Sequence, residues 1–258
     1  MRMRIIDTHC HLDFTAFDDD RDAVFQRARE NGLIGFIIPA VKRASWNALI
    51  TLCEDYDDVN YALGMHPIFI REHELADVGL LRKLAQSSHP IAIGEIGLDY
   101  YDKSLELEKQ LKFFKQQLAV ACDMQLPVIL HVRKAHEDVL ECLSEYPIIG
   151  GVVHAFNGSM QQADRYMALN FKFGFGGMLT YERSTKLRAL AKNLPLESIV
   201  LETDSPDMTV QAHRGQRNSP EYLPQCLAAL AEVRGMNIEA IAEQTTQNAY
   251  ALFKRMEQ

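Results

Sequence analysis

The chain has 258 residues, with 27 Lys plus Arg against 35 Asp plus Glu, and a formal net charge of −8 when its nine histidines are neutral. A 47% share of hydrophobic residues can bury a sizeable core, which excludes a disordered or miniature scaffold. The acidic balance excludes loose, salt-driven wrapping of nucleic acid, which needs basic surface, but not a phosphate substrate held through metal ions.

No apolar stretch approaches the ~20 residues of a membrane helix, and Asp7 comes too soon for a signal peptide, so a cytoplasmic protein without membrane contact is expected. Cys10, Cys53, Cys122, Cys142 and Cys226 are odd in number and never form a CxxC pair. They read as reduced, buried small hydrophobes rather than a disulfide framework or a thiolate metal site.

Along the chain, short apolar runs predict strands over 4–8, 34–38, 61–64, 91–94, 128–131, 151–154, 171–175 and 198–201. Amphipathic stretches predict helices over 20–30, 45–55, 75–87, 135–146, 159–169 and 184–193, and two or more across 220–253. The clearest helix carries Leu107, Leu111, Phe114, Leu118 and Cys122 on one face. Ser104 is its expected N-cap, with Glu106 and Glu108 near the positive end of the dipole. Alternating strands and helices predict parallel pairing with right-handed crossovers, and a continuous apolar run such as Ile34-Gly35-Phe36-Ile37-Ile38 suits a sheet covered on both faces. Eight such units in this length predict an α/β fold, a closed (β/α)8 TIM barrel with extra C-terminal helices, spanning 1–258 as one domain. No Gly-x-Gly-x-x-Gly or Walker loop follows any strand, which counts against an open nucleotide-binding sheet.

A barrel of this kind gathers its chemistry just past the C-terminal strand ends. The apolar runs end in Asp7-Thr8-His9-Cys10-His11, Gly64-Met65-His66-Pro67, Gly94-Glu95-Ile96-Gly97-Leu98-Asp99, Leu130-His131-Val132-Arg133, Val153-His154 and Leu201-Glu202-Thr203-Asp204-Ser205-Pro206. Extended residues two apart point the same way, so His9 and His11 present two imidazoles while Cys10 faces away. His131, His154, Glu95 and Asp204 arrive from other strands at the same mouth. Imidazole with carboxylate and no thiolate suits Zn²⁺, Mn²⁺, Fe²⁺ or Ni²⁺. Six ligands exceed one tetrahedral ion with an open position, so two ions ~3.5–4 Å apart, bridged by a carboxylate and an acidified water, are expected.

Taken one at a time, each residue has a plainer explanation: an isolated HxH or core histidine is more often structural, and Asp204 before Ser-Pro suits a turn cap. The conjunction has none, because burying this many unpartnered polar groups would cost several kcal/mol each. His73, His89, His136 and His213 fall in helices or loops and are expected at the solvated surface. Phe17, Trp46, Phe69 and Phe114 are expected in packing, and Asp18-Asp19-Asp20 as a solvated helix cap.

Those same motifs, together with Leu12-Asp13, Tyr100, Pro127-Val128-Ile129, and Ala155-Phe156-Asn157-Gly158, resemble the TatD-type metal-dependent deoxyribonucleases, a branch of the amidohydrolase-like barrels, and within it the bacterial YjjV-like subgroup. The resemblance runs in order from residue 7 to 206. It implies that His9, His11 and Asp204 hold one ion, His131 and His154 the other, and Glu95 bridges them; the ions would be Zn, Mn or Mg. The bridging carboxylated lysine of phosphotriesterase-like relatives has no counterpart here. It further implies hydrolysis of a phosphodiester, as a 3′-5′ exonuclease on DNA single strands or ends, by a hydroxide bridging the two ions. Asp204 would take the nucleophile's proton. A protonated His66 would face the substrate phosphate rather than the ions, and Arg133 would assist it. Hydrolysis of a carbon ester, lactone or amide is the alternative, since fold alone does not choose the electrophile. Lys42-Arg43 and the Arg214 to Arg217 loop are the compact basic pairs near strand ends, which favours short strands or chain ends over long duplex. Nothing in the sequence calls for an obligate protein partner.

Overall fold

The computed structural model describes residues 3–257. Its strands are β1 (Ile5–Asp7), β2 (Leu33–Pro39), β3 (Val59–Leu63), β4 (Ala92–Asp99), β5 (Val128–Arg133), β6 (Gly151–Val153), β7 (Phe171–Phe175) and β8 (Ile199–Leu201). They pair in parallel in sequence order. Closure comes from Thr8, whose backbone N–H and hydroxyl both donate to the carbonyl of Leu201, at 3.0 and 2.9 Å. The outer layer is α1 (Arg21–Glu30), α2 (Trp46–Glu54), α3 (Leu75–Ser88), α4 (Leu107–Met124), α5 (His136–Glu145), α6 (Met160–Ala168) and α7 (Thr185–Asn193). The helices α8 (Leu223–Arg234) and α9 (Ile238–Leu252) follow the last strand. The result is the expected (β/α)8 barrel with additional C-terminal helices.

Strand pleating divides the core in two. Ile6, Ile37, Ala62, Ala92, Ile129, Val152 and Val200, one from nearly every strand, fill the barrel floor with Leu252 and Phe253 beneath them. Alternate strand residues such as Ile5, Phe36, Ile38 and Phe173 pack outward under the helices. The last helix is fastened as a plug: Asn248 Nδ2 donates to the carbonyls of Leu196 and Ile199, and Thr246 to that of Arg4. With one end closed, only the C-terminal strand ends open to solvent.

Several local expectations are revised. Ser104 does not cap α4; the chain enters it at Glu106 in an extended conformation with no side-chain cap. Asp20 stands at the N-cap of α1, but its carboxylate makes no cap hydrogen bond to the helix backbone. It holds Arg217 at 2.7 Å instead, because a guanidinium fork offers a charged partner. His73 and His136 are buried. His136 points Nδ1 at the Tyr166 hydroxyl, 3.2 Å away, and burial lowers its pKa. His213 is half-buried, stacked on Tyr222. Phe17, Trp46 and Phe114 are core residues, and Phe69 lies half-buried under the Lys42 ammonium. Cys122 is half-buried and the other four cysteines are buried, all free. Among the described residues no helix is long and apolar enough to cross a membrane.

Candidate active site

The two ends of the sheet are stitched together above the barrel. Asp7 accepts hydrogen bonds from the Thr203 hydroxyl (2.6 Å), the Thr203 N–H (3.0 Å) and the His9 N–H (3.2 Å). The Asp204 N–H donates to the carbonyl of His9 and the His11 N–H to that of Ser205, both at 2.8 Å. The HxH pair lies just beyond β1 rather than within it, yet the alternation persists: Cys10 turns into the core while His9 and His11 bring their Nε2 atoms to 3.2 Å of each other.

Opposite them stands Glu95. Its strand departs from regular pairing with β5 between Ile93 and Ile96, and the Glu95 N–H bonds instead to the carbonyl of Ala40. Such an irregularity re-aims a side chain. The carboxylate points inward and divides its two oxygens between two sets of imidazoles. Oε2 lies 3.2 Å from His9 Nε2 and 3.6 Å from His11 Nε2. Oε1 lies 3.2 Å from His131 Nδ1, 3.0 Å from His154 Nε2 and 3.3 Å from His66 Nε2. Asp204 Oδ1 completes the first set, 3.6 Å from both His9 and His11. All six sequence-selected donors therefore converge on one site.

The electrostatics follow from burial and mutual charge. Desolvation works to raise the Glu95 pKa, but the His66, His154, His9 and His131 imidazoles outweigh it and hold the carboxyl well below its ordinary value. Burial likewise opposes charge on His154 and His11. The neighbouring carboxylates nonetheless raise His154 to about 10, through Glu95, and His11 to about 8, through Asp204 and Glu95. Burial pushes His9 and His66 down to about 4. The cavity thus favours positive charge around Glu95.

The donor set suits divalent metal ions. Buried Glu95 Oε1 has no hydrogen-bond partner among the described residues. Glu95 Oε1 has three imidazole nitrogens within 3.3 Å but hydrogen-bond geometry to none, an arrangement natural to ligands that share a cation. Among the described residues, two of the three clusters that could hold a metal, His9-His11-Glu95 and His66-Glu95-His131, share that carboxylate.

His66 lies beside the cluster, its Nε2 3.3 Å from Glu95 Oε1. Its Nδ1 accepts the Ile68 N–H at 3.1 Å, so the neutral ring carries its proton on Nε2; burial disfavours the doubly protonated form. Arg133 is exposed at the end of β5, its guanidinium 3.7 Å over the Tyr101 ring and away from the cluster. Lys42, Arg43 and Arg217 are neutralised by Glu72, Asp77 and Asp20.

Three acids escaped sequence reasoning. Asp99 accepts the His131 Nε2 proton at 2.9 Å and so turns Nδ1 toward Glu95. Glu202 is buried, accepts the Ala155 N–H at 2.6 Å and forms a third possible metal cluster with His9 and His154. Burial raises its pKa to about 8 and that of Asp7 to about 7. An acid directly after the apolar Val200-Leu201 pair was the available signal for Glu202, with Gly174 as its counterpart: a Cβ there would lie 1.8 Å from Glu202 Oε2.

Residues 6–254 match the family model described as TatD related DNase. The chain is 38% identical to the metal-dependent hydrolase YjjV of Escherichia coli K12, over 98% of this chain and 99% of that protein. The crystal structure of that YjjV superposes with a TM-score of 0.94, covering 98% of this chain and 99% of the other. The metal-dependent hydrolase YabD of Bacillus subtilis is 33% identical, over 97% of this chain and 99% of its own length. A protein of Erwinia amylovora named 3′-5′ ssDNA/RNA exonuclease TatD is also 33% identical, over 96% of this chain and 99% of its own. Sequence, barrel and donor set thus agree: the chain belongs to the family of TatD-related DNases and is a metal-dependent hydrolase.

Proposed function

We propose that the chain hydrolyses phosphodiester bonds of nucleic acid, working from 3′ ends of single strands with two divalent ions in its barrel mouth. The observation that carries this reading is the division of the Glu95 carboxylate between two imidazole sets. His9, His11, Asp204 and Glu95 Oε2 would hold one ion; His131 Nδ1, His154 Nε2 and Glu95 Oε1 the other. Bound divalent ions supply Lewis acidity and bring a water's pKa toward neutrality. Around them, Asp204 orients the attacking water and accepts its proton. Its carboxyl is suited to that task by position, since the His11, His154 and His9 imidazoles keep it ionised against the effect of burial. His66 offers its Nε2 proton to a non-bridging or leaving oxygen, its tautomer set by Ile68. Arg133 meets substrate phosphate further out. The exonuclease name borne by the Erwinia relative supports the choice of phosphorus over carbon.

The test is a parallel assay of stripped protein reloaded with Mg²⁺, Mn²⁺ or Zn²⁺. The substrates are 3′- and 5′-labelled single-stranded oligonucleotides, bis-p-nitrophenyl phosphate and a panel of lactones. Shortening from the 3′ end is expected. Cleavage of lactones alone would overturn the proposal.

A further inference from the structure

Beside the paired clusters the barrel mouth opens into a cavity of about 800 Å³, whose inner end is formed by His131, His154 and Asp204 themselves. That volume lies toward the upper end of the ~300–1,000 Å³ typical of ligand sites and leaves space beyond the reacting group. Gly174, Phe175 and Gly176 at the end of β7 form one side of it, and Thr185, Lys186, Leu187 and Leu190 of α7 another.

Three cations stand on its wall. Arg133, Arg183 and Lys186 all line the cavity, and none is paired with a carboxylate among the described residues. Lys186 donates to the Asn157 carbonyl at 2.6 Å, which fixes its ammonium across the rim between α7 and the loop after β6. The guanidinium of Arg183 lies 5.4 Å from the Tyr181 ring. In a chain of net charge −8, unneutralised cations grouped on one cavity ask for an anion. Asp207 is the one acid on this wall outside the metal cluster. Met178, Leu187 and Met208 add apolar surface to the same lining, against which a planar ring can pack.

We infer that this cavity binds the nucleotide unit adjoining the bond that is cut, with Arg183 and Lys186 on its phosphate and the apolar wall against its base. The inference rests on the phosphodiesterase reading and sharpens it: the preferred substrate carries a second phosphate beside the scissile one. A small diester without that phosphate leaves the cations unused. An electrically neutral lactone would gain nothing from them.

The experiment compares wild type with Arg183→Ala/Lys186→Ala, and with the charge-keeping Arg183→Lys/Lys186→Arg. Anisotropy of a fluorescein-labelled single-stranded hexanucleotide, in EDTA over a salt series, reads binding. Hydrolysis of the same oligonucleotide and of bis-p-nitrophenyl phosphate, after metal reloading, reads catalysis. The alanine pair is expected to bind at least tenfold more weakly, with a log–log salt slope shallower by ~0.7 for each phosphate that is no longer neutralised. Its kcat/KM on the oligonucleotide should fall at least tenfold further than on the small diester, and the charge-keeping pair should recover most of both. Unchanged binding, or an equal loss on both substrates, overturns the inference, as does failure of the wild type to bind the hexanucleotide. Salt-dependent binding that disappears in the alanine pair, with no phosphodiester cleaved by wild type, sustains the site and overturns the reaction.

Discussion

Changing Asp99 to Asn tests whether His131 is a ligand through Nδ1. The side chain is held firmly: Gln110 grips its backbone from both sides, donating to the Asp99 carbonyl at 3.1 Å and accepting its N–H at 2.8 Å. The carboxylate then accepts two donors, the Tyr101 N–H at 2.8 Å and the His131 Nε2–H at 2.9 Å. An amide of the same shape has one acceptor oxygen, so it can serve one of them and must aim an NH2 at the other. With the oxygen kept by Tyr101, the NH2 faces Nε2 and turns that atom into the acceptor. The ring proton then moves to Nδ1, the atom 3.2 Å from Glu95, and a protonated nitrogen cannot ligate. Losing such a carboxylate behind a metal-binding histidine costs ~10–100-fold in affinity or activity, or ~1.4–2.7 kcal/mol. Competition with a calibrated chelator should show metal affinity lowered by that factor, with kcat reduced in step. Thermal unfolding in EDTA controls for folding. Metal affinity within twofold of wild type with kcat unchanged would refute the assigned geometry.

Asp204→Asn should abolish turnover while metal analysis finds the ions largely retained, because His9, His11 and Glu95 keep their places; undiminished activity would sink the proton-acceptor role. Gly174→Ala should lower the melting temperature of the metal-free protein, since its Cβ would lie 1.8 Å from a buried carboxylate oxygen of Glu202. Overpacking of this kind costs ~1–3 kcal/mol, each worth ~2–4 °C in a chain of this size, and an unmoved melting curve contradicts the packing described. His136 has its pKa lowered by burial, so between its folded value and the ordinary 6.5 the unfolded chain binds the proton first. Stability from this group is full above ~6.5 and is lost as pH falls through that window. His136→Gln should therefore lose less stability than wild type between pH 7.5 and 5.5 by denaturant melts in EDTA; an equal loss removes His136 from the acid sensitivity.

The barrel is legible because each strand announces itself as an apolar run, and the donors because each run ends in a polar residue that packing cannot explain. Ile34 to Ile38 and Phe171 to Phe175 can be placed to within a residue on that ground. What stays hidden depends on partners remote in sequence. His136 and Tyr166 are 30 positions apart, and nothing in the helical pattern around either shows that they meet. Nothing in the sequence around His66 shows that the backbone N–H of Ile68, two residues on, engages its Nδ1 and leaves Nε2 facing Glu95. Ser104 resembles a cap because cap preference is local, but α4 starts three residues later, with Glu106 extended before it.

The backbone supplies the step that side-chain spacing could not. Among the described residues seven non-glycine positions have positive φ. His89 and Gln125 end α3 and α4, where a left-handed residue is the usual stop, and Asn170 follows α6. The other four, Lys134, Ala155, Asp204 and Met208, all lie in loops leaving β5, β6 and β8 at the open mouth. Each such position costs ~1–3 kcal/mol and persists only where its surroundings enforce it. For Ala155 the enforcing group is the Glu202 carboxylate on its N–H, and for Asp204 it is the carbonyl of His9, within a corner that Asp7 ties to Thr203. Ala155 follows His154, so strain held by Glu202 and Asp7 sets the direction of two side chains of the cluster, those of His154 and Asp204. That accounts for two buried acids whose desolvation the protein tolerates although Asp7 faces no metal cluster: they act on the chain that carries the donors.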